Sequence, residues 1–245
     1  MNVIAVIPAR MGSARMPRKN LCEIEPGLTL LQQAIDCALH SGVIDEIAVS
    51  TDLEDADWEG TALWIKRPDY LCGPTSDISE SVAYTLKQVE HLNGKHYDYI
   101  VTLQPAVIAR SPLIVRDLVN AVCLGGNTAG ITMAKTHRWT WDVKESTATN
   151  DWFPGPYPRS QDSAPRLVEI NAVQVARRDV VLKNKRWDVP MVILELPSWC
   201  AALDIDTPED LATARDLWPW ARPRLETWQG RLNYIFCVGM SHICA

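Results

Sequence analysis

Residues 3–20 read VIAVIPARMGSARMPRKN. Val3 to Ile7 is an unbroken apolar run that stops at Pro8. A strand with one face in water would alternate apolar and polar residues. An unbroken run is what a strand buried on both faces requires, as in a parallel sheet. A polar loop follows, and beyond it Leu31, Ile35, Ala38 and Leu39 recur at helical spacing. Strand, loop and amphipathic helix make one half of a βαβ unit. In open α/β sheets ligands bind outside the carboxyl ends of strands, so this loop is the first place to look for a site.

The same alternation continues along the chain. Ile47 to Val49, Leu63 to Ile65, Tyr99 to Leu103 and Ala129 to Met133 read as strands. Between them, Asp77 and Glu80 predict a capping box for a helix with Ile78, Val82, Leu86 and Val89 on its apolar face. Ser111 as N-cap and Pro112 at the first helical position predict another, carrying Val115, Leu118, Val119 and Val122. From about 135 to 168 the pattern breaks. His137, Trp139, Trp141 and Val143 alternate at period two, and a Pro-rich loop follows. Strands resume at Val168 to Val175 and Val192 to Leu196. Thr207-Pro208-Glu209-Asp210 opens a last helix with Leu211, Ala214 and Trp218 on one side, and Pro219 is expected to end it. The pattern predicts a three-layer α/β/α fold with a mostly parallel sheet. Its domain spans 1–217, with an inserted arm at about 135–168 and a tail over 218–245.

Composition removes other classes. The chain has 245 residues, 47% hydrophobic and 22% charged, which excludes disordered and collagen-like proteins. A net charge of −6 argues against a nucleic-acid partner, since coating phosphates needs clustered positive charge. No apolar stretch approaches the ~20 residues of a membrane span. The first residues read as a strand and not as a signal peptide, and the seven cysteines form no CxxC pair, so the expectation is a cytoplasmic protein with reduced thiols. The five histidines lack metal-ligand spacing, and His91 and His96 read as solvated.

Against that acidic background, Arg10, Arg15, Arg18 and Lys19 fall within ten residues of the first loop. Gly12 and Ser13 allow a tight turn whose N–H groups can face an anion. The spacing G-x-x-R-x-P-x-K suits a polyphosphate and is not a P-loop. Near the other end, Asp204 and Asp206 stand at i and i+2 of an extended stretch. Two carboxylates on one side suit a hard divalent cation, although Asp206 could equally help cap the helix after it. Gln104 ends a central strand, where an amide can orient a substrate, and Asn171 lies inside the strand VEINAVQV.

Together these residues resemble the CMP-sialic acid synthetase (acylneuraminate cytidylyltransferase) family of sugar-acid cytidylyltransferases. The family pattern IPAR-x-GS-x-x-x-P-x-KN is matched by Ile7 to Asn20. Further echoes follow in order: Ser50 to Asp52, Arg67-Pro68, Leu103 to Pro105, Arg110, and Asp204 to Leu211. The resemblance implies a nucleotide-diphospho-sugar transferase (Rossmann-like) fold with a dimerisation arm. It implies transfer of CMP from CTP to an acidic sugar with release of pyrophosphate. Arg10, Gly12, Ser13, Arg15 and Lys19 would then hold the triphosphate, Asn20 the nucleotide, and Arg67 and Ser76 the base. Gln104, Arg110 and Asn171 would serve the acceptor, and Asp204 and Asp206 would hold magnesium. Two segments depart from the family: LQPAVIAR stands for LQPTSPLR, and NAVQV for NGAIY. In similar synthetases the arm crosses to a partner subunit, which makes a homodimer the expectation and Arg159 and Arg166 candidates for the acceptor's carboxylate.

Two other readings stay open at this level. Asp204-Ile205-Asp206 could be the DxD metal motif of a glycosyltransferase, though that leaves the basic first loop unexplained. A silent nucleotide-binding homologue is the second; Lys19 and both aspartates argue against it.

Overall fold

In the computed structural model, which describes residues 1–13, 15–53, 61–136, 159, 165–183 and 191–228, β1 (Val3–Pro8) is divided between two cores. Val3, Ala5 and Ile7 join one, Ile4 and Val6 the other, and all five are buried. Period-two alternation thus spends every residue of the run, each worth about 1.5–3 kcal/mol when fully buried if large and apolar.

The remaining elements are β2 (Glu23–Glu25), β3 (Leu28–Thr29), α1 (Leu30–His40), β4 (Glu46–Thr51), β5 (Leu63–Lys66), α2 (Ile78–Asn93), β6 (Tyr99–Thr102), α3 (Pro112–Cys123), β7 (Ala129–Thr136), β8 (Arg166–Arg177), α4 (Arg178–Leu182), β9 (Met191–Leu196) and α5 (Pro208–Glu226). Seven strands form one sheet in the order β5-β4-β1-β6-β8-β7-β9. β1 is parallel to both β4 and β6. One core packs residues of α1, α3 and α5 on the sheet, and the other packs α2, giving the expected three layers.

β8 is the antiparallel member, paired with β6 on one side and β7 on the other. Consecutive strands that pair directly, as β7 and β8 do, run antiparallel. Their pairing shifts register between Ile131 and Met133, and Asn171 takes a left-handed conformation there, φ 57°. Asparagine tolerates that conformation better than most residues. The Thr132 hydroxyl accepts the Val173 N–H that the irregularity would otherwise leave without a ladder partner, at 3.2 Å.

Helix starts follow their caps. Thr29 accepts from Gln32 N and Ser111 from Ile114 N ahead of Pro112; Asp77 caps α2 by accepting from Ser79 N, not from Glu80 N as the expected capping box required. Thr207 and Asp210 close a reciprocal capping box on α5. α5 does not end at Pro219: it runs through Pro219 and Pro223 to Glu226, so the boundary placed at 217 falls inside a helix. Each proline deletes an intrahelical donor, and side-chain contacts offset the loss. Trp218, Ala221 and Leu225 are buried, Arg215 donates to the Glu23 carbonyl, and Trp220 packs edge-on against Trp199 with Arg224 over its ring. Leu39, placed on the apolar face of α1 by its spacing, is exposed. The β2–β3 hairpin, which turns at Pro26-Gly27 with Gly27 at φ 80°, was not foreseen. Most of the arm, including Trp139, Trp141, Trp152, Phe153 and Tyr157, lies outside the described residues. No helix among the described residues is long and apolar enough to cross a membrane.

Candidate active site

The loop after β1 is pinned at both its ends before any ligand is considered. The N–H of Met11 donates to Asp52 Oδ1 at 2.7 Å, and the buried Asn20 amide donates to the Arg10 carbonyl at 2.8 Å. Inside the loop, Ser13 N and Arg18 N both donate to the Met11 carbonyl, at 3.0 and 2.9 Å. Arg18 adopts φ 55°, which turns the chain into the short helical turn Lys19–Leu21. The basic residues are therefore carried on a closed loop with few free torsions. Arg10 is fixed in turn by donating to the Gly73 carbonyl, which also accepts from Ser76 Oγ.

This loop forms one wall of a cleft with about 1120 Å³ of empty space at the carboxyl ends of β1 and β6. Ser13, Arg15, Lys19 and Asn20 come from the loop, Arg67 and Ser76 from the opposite wall, and Gln104, Pro105 and Ala106 from beyond β6. Asp206 closes the set. Four cations (Arg10, Arg15, Lys19 and Arg67) thus face one carboxylate in a chain of net charge −6. Such a concentration of donors and positive charge is chemically a polyanion site.

Asp206 connects the chain's two most distinctive motifs. Lys19 Nζ lies 2.9 Å from its Oδ1, and Arg15 2.6 Å from its Oδ2. Burial works against its charge, but the Lys19 hydrogen bond and both cations outweigh that and hold its pKa below the ordinary carboxylate value. Its carboxylate does not cap α5, because Thr207 does, so one of the two readings of Asp206 falls away. Asp204 is exposed and extended, bridging to Val107, with the buried Ile205 between it and Asp206; unlike Asp206 it does not line the cleft. Desolvation by its surroundings, then the Asp206 charge, push the Asp204 pKa up. Asp204, made costlier to ionise by the Asp206 charge, and the ionised Asp206 offer hard oxygen donors to a cation. Together with phosphate oxygens and water they match the way magnesium is held. No cluster of three or more His, Cys, Asp or Glu suited to a metal occurs among the described residues, so the remaining ligands would have to come from substrate and water.

Other assigned residues lie elsewhere. Arg110 does not reach the cleft: it is 1% exposed and donates through Nη1 to the carbonyls of Gln104 and Ala172. Burial lowers its pKa to about 10. Its guanidinium staples the end of β6 to β8, a structural task and not contact with an acceptor. Asn171 is taken up by the β8 bulge and accepts from Gln174 Nε2. Arg159 is exposed, and Arg166 pairs with Thr136 where β7 and β8 leave the sheet; neither borders the cleft. Gly12 is exposed between Met11 and Ser13 and is not part of the wall. Asp52 and Ser50, which help fix the site, were legible only as part of the Ser50-to-Asp52 echo and without a role; Gly73 left no trace in the sequence.

Comparison with known proteins agrees with this geometry. The family model described as cytidylyltransferase matches residues 4–58. A CMP-N,N'-diacetyllegionaminic acid synthase of Legionella pneumophila is 27% identical over 226 residues, covering 89% of this chain and 96% of that protein. Over most of its length the chain is similar to a sugar-acid cytidylyltransferase. A pseudaminic acid cytidylyltransferase of Campylobacter jejuni is 32% identical over 122 residues, about half of each chain. A CMP:2-keto-3-deoxy-manno-octonic acid synthetase solved with CTP superposes with a TM-score of 0.65 over 90% of this chain and 99% of that one, at 19% identity. That likeness shows a shared fold, and the family model's match spans the loop that carries Arg10 and Lys19.

Proposed function

We propose that this chain transfers CMP from CTP to a hydroxyl of an acidic sugar and releases pyrophosphate. The observation that carries the reading is the clamp of Arg15 and Lys19 on Asp206 within a cleft of four cations. Phosphoryl chemistry of this kind is mostly positioning and charge neutralisation. Arg10, Ser13, Arg15 and Lys19 bind the triphosphate, and the rigid loop keeps Lys19 aimed at the oxygens on which charge develops. Arg67, with Ser76 beside it, takes the base from the opposite wall. Gln104, at the end of β6, orients the acceptor. The Asp206 ion pairs are partly exposed, worth about 0–1 kcal/mol each, so an incoming triphosphate takes over Arg15 and Lys19 at little cost. Asp206 and Asp204 are the residues that would hold magnesium. That ion, when bound, neutralises phosphate charge and polarises the phosphorus that is attacked.

The acceptor belongs to the nonulosonic or octulosonic acid class on which the relatives' names agree. We also take the protein to be a homodimer and, from its free thiols, cytoplasmic. The test is a screen of such acids with CTP and magnesium, scored by pyrophosphate release, with UTP, ATP and GTP in parallel. Release with CTP and one acid, lost in EDTA or in Asp206→Asn, is the expected result. Release of a nucleoside diphosphate from a nucleotide sugar would instead establish the glycosyltransferase reading.

A further inference from the structure

Two hydroxyls lie fully buried between α2 and the sheet, among Ile4, Val6, Ala48, Val82 and Leu86, where apolar side chains would pack at lower cost. They are Ser50, in β4, and Thr85, in α2. Thr85 Oγ1 is 2.7 Å from Ser50 Oγ and 2.8 Å from the Ser81 carbonyl. Arg67 Nε donates to Ser50 Oγ at 2.9 Å and to the Ser50 carbonyl at 3.2 Å. The ends of this chain fix its direction. Arginine can only donate and a carbonyl can only accept, so each hydroxyl accepts from the Arg67 side and donates towards Ser81. Every hydroxyl is satisfied in one arrangement alone. The guanidinium at its end is 4% exposed, borders the cleft, and keeps a buried Nη2 with no hydrogen-bond partner.

We infer that Thr85, through Ser50, is a positioning residue that sets the orientation of Arg67 and thereby the choice of nucleotide base. The inference rests on the proposed reading of the cleft as a CTP site. A guanidinium edge offers donors only. Cytosine presents adjacent acceptors at O2 and N3, whereas uracil carries a hydrogen at N3, so a fork held in one plane favours the first and a fork free to rotate favours neither. Orientation is therefore the quantity that discriminates, and it is held from the α2 side of the sheet by a residue that no substrate touches.

The test compares Thr85→Val, which keeps shape and deletes the hydroxyl, with Thr85→Ser, which keeps the hydroxyl. Calorimetric binding of CTP and UTP to the unmodified full chain comes first; absence of CTP binding there would remove the proposed function and this inference with it. Given binding, Thr85→Val should raise the KM for CTP roughly tenfold with kcat nearly unchanged, the pattern of lost uniform binding, and should lower the CTP-to-UTP preference. Thr85→Ser should restore both. Ser50→Ala, which removes the hydroxyl acceptor of Arg67 directly, should shift the preference the same way and serves if Thr85→Val fails to fold. A folded Thr85→Val with lower thermal stability but unaltered KM and preference would make Thr85 a packing residue and overturn the inference.

Discussion

At the scale of the single residue, Lys19 separates function from stability most cleanly. Its amine is held on a pre-closed loop and pairs with Asp206, and such a partly exposed pair adds at most about 1 kcal/mol to folding. A cation aimed at developing phosphate charge is worth a rate factor of about 10² or more. Lys19→Ala should therefore lower the rate of pyrophosphate release at saturating CTP by at least about that factor while the melting temperature moves little. Wild-type turnover in the variant would return Lys19 to a solvated surface. Arg110 is the opposite case. It bridges two carbonyls from one nitrogen, Nη1, and lysine keeps the charge but ends one bond short of that position. Arg110→Lys should cost about 2 kcal/mol in denaturant unfolding and leave the KM for the acceptor unchanged. The two arginine-or-lysine positions differed in legibility for a physical reason. Lys19 announces itself by local charge density, but what buries Arg110 is the carbonyl of Ala172, brought alongside only when β8 pairs with β6.

At the scale of the element, caps were legible where the deciding atoms were local: Asp77, Ser111 and Thr207 each cap the turn that follows them, Asp77 through Ser79 N and not through the expected box with Glu80. The end of α5 was misjudged because its continuation past Pro219 depends on Trp199, Glu23 and Glu25, all remote in sequence. The direction of β8 was equally illegible, since an apolar run does not state which way it points. A tie between elements supplies a pH prediction. Glu90, near the end of α2, accepts both Arg178 donors at 2.8 Å, the N–H of Tyr97 and a contact from His96. Burial raises its pKa, but the Arg178 and Tyr97 hydrogen bonds overcome that and bring it to about 2, from an ordinary 4.5. A depressed carboxyl pKa stabilises the fold fully above the unfolded value. The contribution is lost as pH falls from about 4.5 towards about 2. Allowing for the partial exposure of Arg178, the loss is on the order of 2 kcal/mol. Urea unfolding across that range should show this slope in the unmodified protein and a correspondingly smaller one in Glu90→Gln. Identical slopes would mean the bidentate pair does not persist in solution.

At the scale of the whole molecule, the order of strands places every cleft residue at one end of the sheet. Loops after β1, β5 and β6 meet there, and the Asp206 segment reaches it by pairing Ile108 N with the Leu203 carbonyl and Ile205 N with that of Ala106. That convergence was legible as far as β1, because the strand-to-loop rule is general, whereas the meeting of Lys19 with Asp206 required the fold. The nucleotide side of the cleft is built from this chain's own described residues; among those residues the acceptor side has Gln104, Pro105 and Ala106, which offer one amide and no cation. An acidic sugar needs a positive partner for its carboxylate. β7 and β8 leave the sheet together, Thr136 opposite Arg166, and the segment between them is rich in large aromatics at Trp139, Trp141, Trp152, Phe153 and Tyr157. A segment so rich in large aromatics has the composition of an interface core. Sedimentation of the unmodified protein at micromolar concentration should show a dimer. Trp141→Ala should shift it towards monomer and weaken acceptor use while CTP binding persists, because the nucleotide wall belongs to one chain. A monomer throughout, with full activity, would mean that each subunit completes its acceptor pocket alone.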